Sequence, residues 1–174
     1  MIEQNYCSFC GSKLIYKKLK DGTREKYCSS CDHVFFHALY PCIIVLISNA
    51  NKILLARGVE WKQPYWALIS GYIKPGETAK KAAIREVQEE VGLNIRNLEL
   101  IDTYAQKDKN LLMIAFRSKV EDSFIKKSQE LETAKWFDLS CPLPLRPEST
   151  AFSIVKRTFP EIKLVKNYKQ FEVS

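Results

Sequence analysis

"GYIKPGETAKKAAIREVQEEVGL", residues Gly71–Leu93, crowds Glu86, Glu89 and Glu90 into five positions of a chain whose bases outnumber its acids. The spacing predicts a helix over Thr78–Val91, entered through the Pro75-Gly76-Glu77 turn and stopped by Gly92. Like charges three and four apart weaken a helix by about 0.2–0.5 kcal/mol per pair. At roughly 100° per residue, the three carboxylates fall in one sector, Glu90 and Glu89 lying about 40° and 60° to either side of Glu86. Ala79, Ala82 and Ala83 share that sector and predict a floor small enough to leave room for a ligand. Ile84, Val87 and Val91 predict a separate stripe facing the core. On its own an acidic helix is a solvated face. The alanine floor and the upstream glycine loop favour a site for a hard divalent cation, which takes a few carboxylates plus waters. Arg85 flanks the acids and is placed to orient a carboxylate bidentately, and Glu77 adds a loop acid.

Outward from this helix, the pattern is that of a mixed α/β chain. Cys42–Ser48 and Lys52–Arg57 read as strands joined by an Asn-rich turn. "YWALISGYIK" reads as a strand entering a loop, and "LELIDTYAQ", "NLLMIAFRSKV" and "ETAKWFDL" as further strands. Ser149–Thr158 predicts a second helix after the proline-broken "CPLPLRP". The closing "IKLVKNYKQFEVS" reads equally as an edge strand or a tail, so the role of 160–174 stays open. The 174 residues are 46% hydrophobic and 27% charged, enough to bury a core and unlike a disordered chain. A net charge of +7 favours polyanionic partners. The longest apolar run, Cys42–Ile47, is too short to span a bilayer, and "MIEQNYCSFC" has no secretory pattern. The expectation is a cytoplasmic protein with no membrane partner, whose cysteines stay reduced.

Four of the six cysteines precede residue 37. Cys7-x2-Cys10 and Cys28-x2-Cys31, seventeen residues apart, are two knuckles that complete a closed tetrahedral zinc site. The intervening "KLIYKKLKDGTREKYC" reads as a hairpin turning at Asp21-Gly22. The expectation is a zinc ribbon over 5–37, its Zn²⁺ structural, ahead of a second domain over 38–174. His33 and His37 read as ordinary polar residues beyond the last knuckle, and Cys42 and Cys141 as small apolar residues.

Gly71, Glu77 and Arg85-Glu86-Val87-Gln88-Glu89-Glu90-Val91-Gly92-Leu93 match every fixed position of G-x5-E-x7-R-E-U-x-E-E-x-G-U, with U aliphatic. In this the chain resembles the Nudix hydrolases, over roughly residues 40 to 158. The resemblance implies a Nudix αβα sandwich with an α+β mixed sheet, preceded here by the ribbon. It implies a Mg²⁺- or Mn²⁺-dependent pyrophosphohydrolase acting on nucleoside diphosphate derivatives. Glu86, Glu89 and Glu90 resemble the metal ligands, joined by the Gly71 carbonyl, and Arg85 resembles the residue that orients the first glutamate. An acid from beyond the box often joins them; "QELETAKWF" offers Glu130 and Glu132, and the spacing to Trp136 favours Glu130. The general base stays open among Glu89, Glu90 and Glu130.

A ribbon before such a domain is similar to the NADH pyrophosphatase subgroup, some of whose members remove NAD caps from RNA. That subgroup's marker Ser-Gln-Pro-Trp-Pro-Phe-Pro has no counterpart in "DTYAQKDKNLL", and the larger N-terminal domain that often precedes its ribbon is not expected here. The resemblance therefore implies a dinucleotide substrate, NAD(H), FAD or ADP-ribose, with release of AMP, and capped RNA as a further partner. Trp61, Tyr65, Tyr72 and Tyr104 are candidates to stack on a base, and Lys52, Arg57, Lys74 and Arg146 to hold outer phosphates. The competing reading is a nucleotide- or RNA-binding sensor built on the ribbon and a non-catalytic Nudix domain. A homodimer packed through the ribbon is compatible with either.

Overall fold

The computed structural model describes residues 4–59, 61, 64–122 and 124–166. It divides into two compact units: residues up to Tyr40 with Gln106–Leu111, and Pro41–Ala105 with the chain from Leu112 onward.

In the first unit β1 (Ile15–Lys18) and β2 (Arg24–Cys28) form an antiparallel hairpin, and β3 (His33–Phe35) pairs antiparallel with β2. At the turn, the Asp21 carboxylate accepts from the Thr23 amide at 2.9 Å, and Gly22 takes φ 89°, the left-handed region open to glycine. The third strand is a correction to the reading of His33 as a residue merely beyond the knuckle. His33–Phe35 is too short to show a period of two, and its pairing with Cys28 reveals it only in three dimensions. Cys7, Leu14 and Cys28 are buried together, with Phe35 packed against them. That cluster is too small to hold this unit by burial alone. The Gln106–Leu111 segment joins this unit through Asn110, whose side chain donates to the Ala38 carbonyl at 2.9 Å and whose carbonyl accepts from the Tyr40 amide at 2.8 Å.

The second unit is built on a six-stranded sheet in which β7 (Glu99–Gln106), β8 (Leu111–Lys119), β4 (Tyr40–Asn49), β5 (Lys52–Gly58) and β9 (Leu131–Asp138) lie in that order. β6 (Ile69–Tyr72) pairs antiparallel with the first half of β4, Gly71 opposite Ile43. Every residue from Cys42 to Ile47 is buried, which a strand achieves only when both faces are covered. Ile43, Val45 and Ile47 join a core with Ala82, Ala83, Val87 and Val91 of helix α1 (Ala79–Val91). On the other face, Leu46 and Ser48 line a cavity with Thr158 and Phe159, at the end of helix α2 (Thr150–Thr158). The layers are thus helix, sheet, helix, as expected. Leu164 makes an isolated parallel bridge to Leu143, which ties the described part of the closing segment to the 142–145 connection; 167–174 lie outside the described residues.

α1 starts where its sequence says. The Thr78 hydroxyl accepts from the Lys81 amide at 3.3 Å, and Gly92, at φ 73°, returns its N–H to the Gln88 carbonyl. Its buried face differs from expectation. Ile84 is 41% exposed, whereas Ala82 and Ala83 are fully buried. The core-facing sector is centred between Glu90 and Val87, so the alanines do not floor a ligand. They let the helix lie close on the sheet, and Glu86 and Glu90 emerge from the packed face itself.

Candidate active site and cysteine cluster

The close approach of α1 to β6 decides the geometry. A Cβ placed on Gly71 would overlap the Glu86 carboxylate, so any larger residue there would displace that carboxylate. Glu86 is thereby pinned against the sheet, its side chain 15% exposed.

Arg85 stands inside the acidic cluster rather than beside it. Its Nε and Nη2 each donate at 2.9 Å to the two oxygens of Glu77, a bidentate pair. Nη1 donates to Glu86 Oε1 at 2.7 Å and to Glu89 Oε2 at 3.0 Å, and Nη2 also reaches the Tyr72 carbonyl at 3.1 Å. One guanidinium therefore joins three carboxylates and the β6 backbone. Glu77, which also accepts from the Lys74 amide, is held by Arg85 down at about 2. The same partners, Glu77 first, push Arg85 up.

Glu90 is left out of this network. Burial first, then the charges of Glu86, Glu130 and Glu89, push its carboxyl up to about 8. A buried carboxylate repelled by its neighbours, as Glu90 is, is relieved by a metal ion, and an all-oxygen donor set suits Mg²⁺ or Mn²⁺. The residues present fit that group.

Glu90 and Glu130 line one cavity of about 180 Å³ with Ala56, Gly58, Trp61, Leu68, Ser70 and Leu131. Glu130 is brought there because 126–128 runs back along the end of α1, the Lys126 amide donating to Val91 and the Ser128 amide to Glu90. Glu132 turns away to Arg57, 2.8 Å from its Nε. Among the four cations considered, Lys74 reaches the cluster, 4.0 Å from Glu89. Arg57 is taken by Glu132, and Lys52 lies by Asp138. Trp61 is the aromatic on the cavity wall; Tyr104 lies beside Asp102 and Arg157 instead. The wall contributed by Gly58 and Leu131 was missed by sequence reasoning. The β5–β9 register shifts between Arg57 and Gly58 at this wall, and a glycine closing an apolar strand was the available signal.

In the first unit the Sγ atoms of Cys7, Cys10, Cys28 and Cys31 all lie within 4.8 Å of one another, with Cys7–Cys31 at 3.9 Å and Cys10–Cys28 at 3.6 Å. All four are free thiols, far beyond a disulfide's S–S length of about 2.05 Å. Four sulfurs about 2.3 Å from one zinc stand about 3.8 Å apart, so the cluster has the size of a tetrahedral zinc site. Ser12 pulls the Cys10 thiol down to about 6, and Cys10 in turn heads the causes that push Cys31 up to about 12.

A family model for the NUDIX domain matches residues 39–156. The chain belongs to that family. Among curated NUDIX relatives, the NAD-capped RNA hydrolase NudC of Pseudomonas fluorescens is 31% identical over 144 residues, covering 82% of this chain and 51% of that protein. NudC of Vibrio atlanticus is 29% identical over 160 residues, covering 91% and 58%. The chain spans about half the length of the curated relatives it matches. Among solved structures, a NUDIX hydrolase from Nitrosomonas europaea superposes with a TM-score of 0.72 at 20% identity, covering 93% of this chain and 97% of that one. That likeness shows the fold.

Proposed function

We propose that this NUDIX chain is a Mg²⁺- or Mn²⁺-dependent hydrolase that cleaves the pyrophosphate bond of a nucleoside diphosphate derivative. The observation that carries the reading is that Arg85 gathers Glu86 and Glu89 while Glu90, on the same helix, lines one small cavity with Glu130 and feels the charge of all three. Glu86, Glu89 and Glu90, with the Gly71 carbonyl, would hold the metal. When bound, it would neutralise phosphate charge and lower the pKa of a bound water.

The chain's own residues do the rest. Arg85 fixes the Glu86 and Glu89 carboxylates in place, so that little reorganisation is needed on binding. Gly71 lets Glu86 approach the sheet. Glu90 and Glu130 face one cavity, from which a carboxylate can take a proton from water. The general base lies among Glu89, Glu90 and Glu130. Leu68, Leu131 and Trp61 give the cavity apolar walls that limit water around the reacting phosphates.

The NudC relatives support a dinucleotide as substrate, with NAD(H) or an NAD-capped RNA ahead of FAD and ADP-ribose, and AMP as a product. In keeping with the cysteine spacing, 5–37 would be a ribbon holding one structural Zn²⁺, ahead of a catalytic domain over 38–174. Reduced thiols suit the cytosol. No helix among the described residues is long and apolar enough to cross a membrane. Incubating the protein with Mg²⁺ or Mn²⁺ and a panel of NADH, FAD, ADP-ribose, diadenosine polyphosphates and nucleoside triphosphates tests the reading. AMP release from a dinucleotide supports it; binding without turnover would make the chain a sensor.

A further inference from the structure

A cavity of about 330 Å³ opens on the α2 side of the six-stranded sheet, and none of the proposed hydrolytic residues lines it. The cavity that Glu90 and Glu130 share holds about 180 Å³. Strand alternation separates the two. Val45 and Ile47 of β4 face the α1 core, so Leu46 and Ser48 face the other way. Ile114 and Phe116 of β8 likewise pack toward α1, which turns Arg117 and Lys119 to the α2 side. Phe159, at the end of α2, and Asn97, ahead of β7, complete the wall.

This wall joins an apolar floor to unpaired polar groups. Leu46 is 1% exposed, and Phe159 is half-buried. Arg117 is closed by Glu99, to which Nε donates at 2.8 Å and Nη2 at 2.5 Å. The side chains of Ser48, Asn97 and Lys119 have no partner among the described residues. They supply a hydroxyl, an amide and an ammonium, a donor set that suits a carboxylate. Counted whole, the wall sets two cations against one acid. The carbonyl end of α2 works against an anion here, but Lys156 and Arg157 stand in its last turn. An apolar floor with a few convergent polar groups is the form that small-molecule sites take.

We propose that this cavity is an accessory binding site for a small organic acid. Lys119, Ser48 and Asn97 hold the carboxylate, and the apolar body lies on Leu46 and Phe159. The uncompensated ammonium argues for the anion, and the buried leucine for the body. The site needs neither Mg²⁺ nor Mn²⁺ and stands whether or not the chain hydrolyses pyrophosphate.

The test is an amide NMR titration of the full chain without divalent metal, with octanoate as the probe and octanol and octylamine as its neutral and cationic counterparts. Octanoate is expected to shift the amides of Ser48, Asn97, Lys119 and Phe159 and to leave those of Gly71, Glu90 and Glu130 in place. It should bind roughly tenfold more tightly than octanol, the scale of a charge-assisted hydrogen bond. Octylamine should bind more weakly than either. Lys119→Gln is expected to remove the difference between acid and alcohol, whereas Phe159→Ala weakens both alike. Spectra that otherwise match wild type show that each variant is folded. No shift at the four cavity amides up to ~10 mM octanoate would overturn the proposal. So would shifts confined to Gly71, Glu90 and Glu130, alcohol or amine binding as tight as that of the acid, or an acid affinity unchanged in Lys119→Gln.

Discussion

Arg85 grips Glu77 with two parallel bonds of 2.9 Å while its remaining nitrogen bridges Glu86 and Glu89. A lysine offers one point charge and cannot reproduce that fork. Arg85→Lys should therefore lower Tm and reduce metal-dependent turnover on the order of 10- to 100-fold, as loss of a group that orients metal ligands typically does. Paired melting and rate measurements check this. Unchanged turnover would remove Arg85 from the positioning role.

Two glutamates of the same cluster predict opposite pH dependences in separate windows. Glu77 is held at about 2, below its unfolded value, so its contribution is complete above about pH 4.3 and is lost as pH falls through about 2. Glu90 sits at about 8, above its unfolded value. Between those values the folded state binds the extra proton, so stability falls as pH rises from about 4.3 to about 8. In metal-free protein Tm should decline across that upper window, and Glu90→Gln should flatten the decline. Mg²⁺ should raise Tm more at pH 8 than at pH 5. Thermal melts across pH, with and without metal, read all three.

Gly71→Ala places a methyl group where the Glu86 carboxylate lies. Overpacking of this kind costs about 1–3 kcal/mol, and here the group displaced is a proposed metal ligand. Manganese affinity, read by calorimetry, should fall on the order of 10- to 100-fold. An affinity equal to wild type would show that Glu86 does not need its present position.

The four thiols predict about one zinc per chain, bound with release of protons, because thiols must ionise to ligate. Cys28→Ser should abolish tight zinc binding and expose the amides of β1 to β3 to hydrogen exchange, since Cys7, Leu14, Cys28 and Phe35 are their shared core. Elemental analysis and exchange measurements check both. Reduced, unchelated protein free of zinc would count against the ribbon.

Much of this arrangement was legible in residue order, and the failures share one physical cause. Thr78 and Gly92 cap α1 through local backbone bonds, so a linear pattern locates them. The continuous apolar run Cys42–Ile47 announces a strand covered on both faces. Which side of α1 meets the sheet depends instead on how near the helix can come, and Gly71 sets that approach. The helical wheel alone therefore turned Ile84 inward and kept Ala82 and Ala83 beside a ligand. Likewise, a flanking position for Arg85 follows from its own helix; its reach to Glu77 and Tyr72 follows from β6. The spacing to Trp136 pointed to Glu130 rather than Glu132, and the return of 126–128 along α1 shows how the fold brings Glu130 to the cavity.

The central claim is that the carboxylate cluster on α1 supports metal-dependent cleavage of a pyrophosphate. Its most direct test is AMP release from NADH in the presence of Mg²⁺ or Mn²⁺ by wild type, Glu89→Gln and Glu90→Gln, each shown to be folded. The account predicts turnover by the wild type that chelation abolishes, and a loss on the order of 100-fold or more in at least one variant, the scale of general-base catalysis. Undiminished turnover in both variants, or none by the wild type on any dinucleotide with either metal, would contradict it.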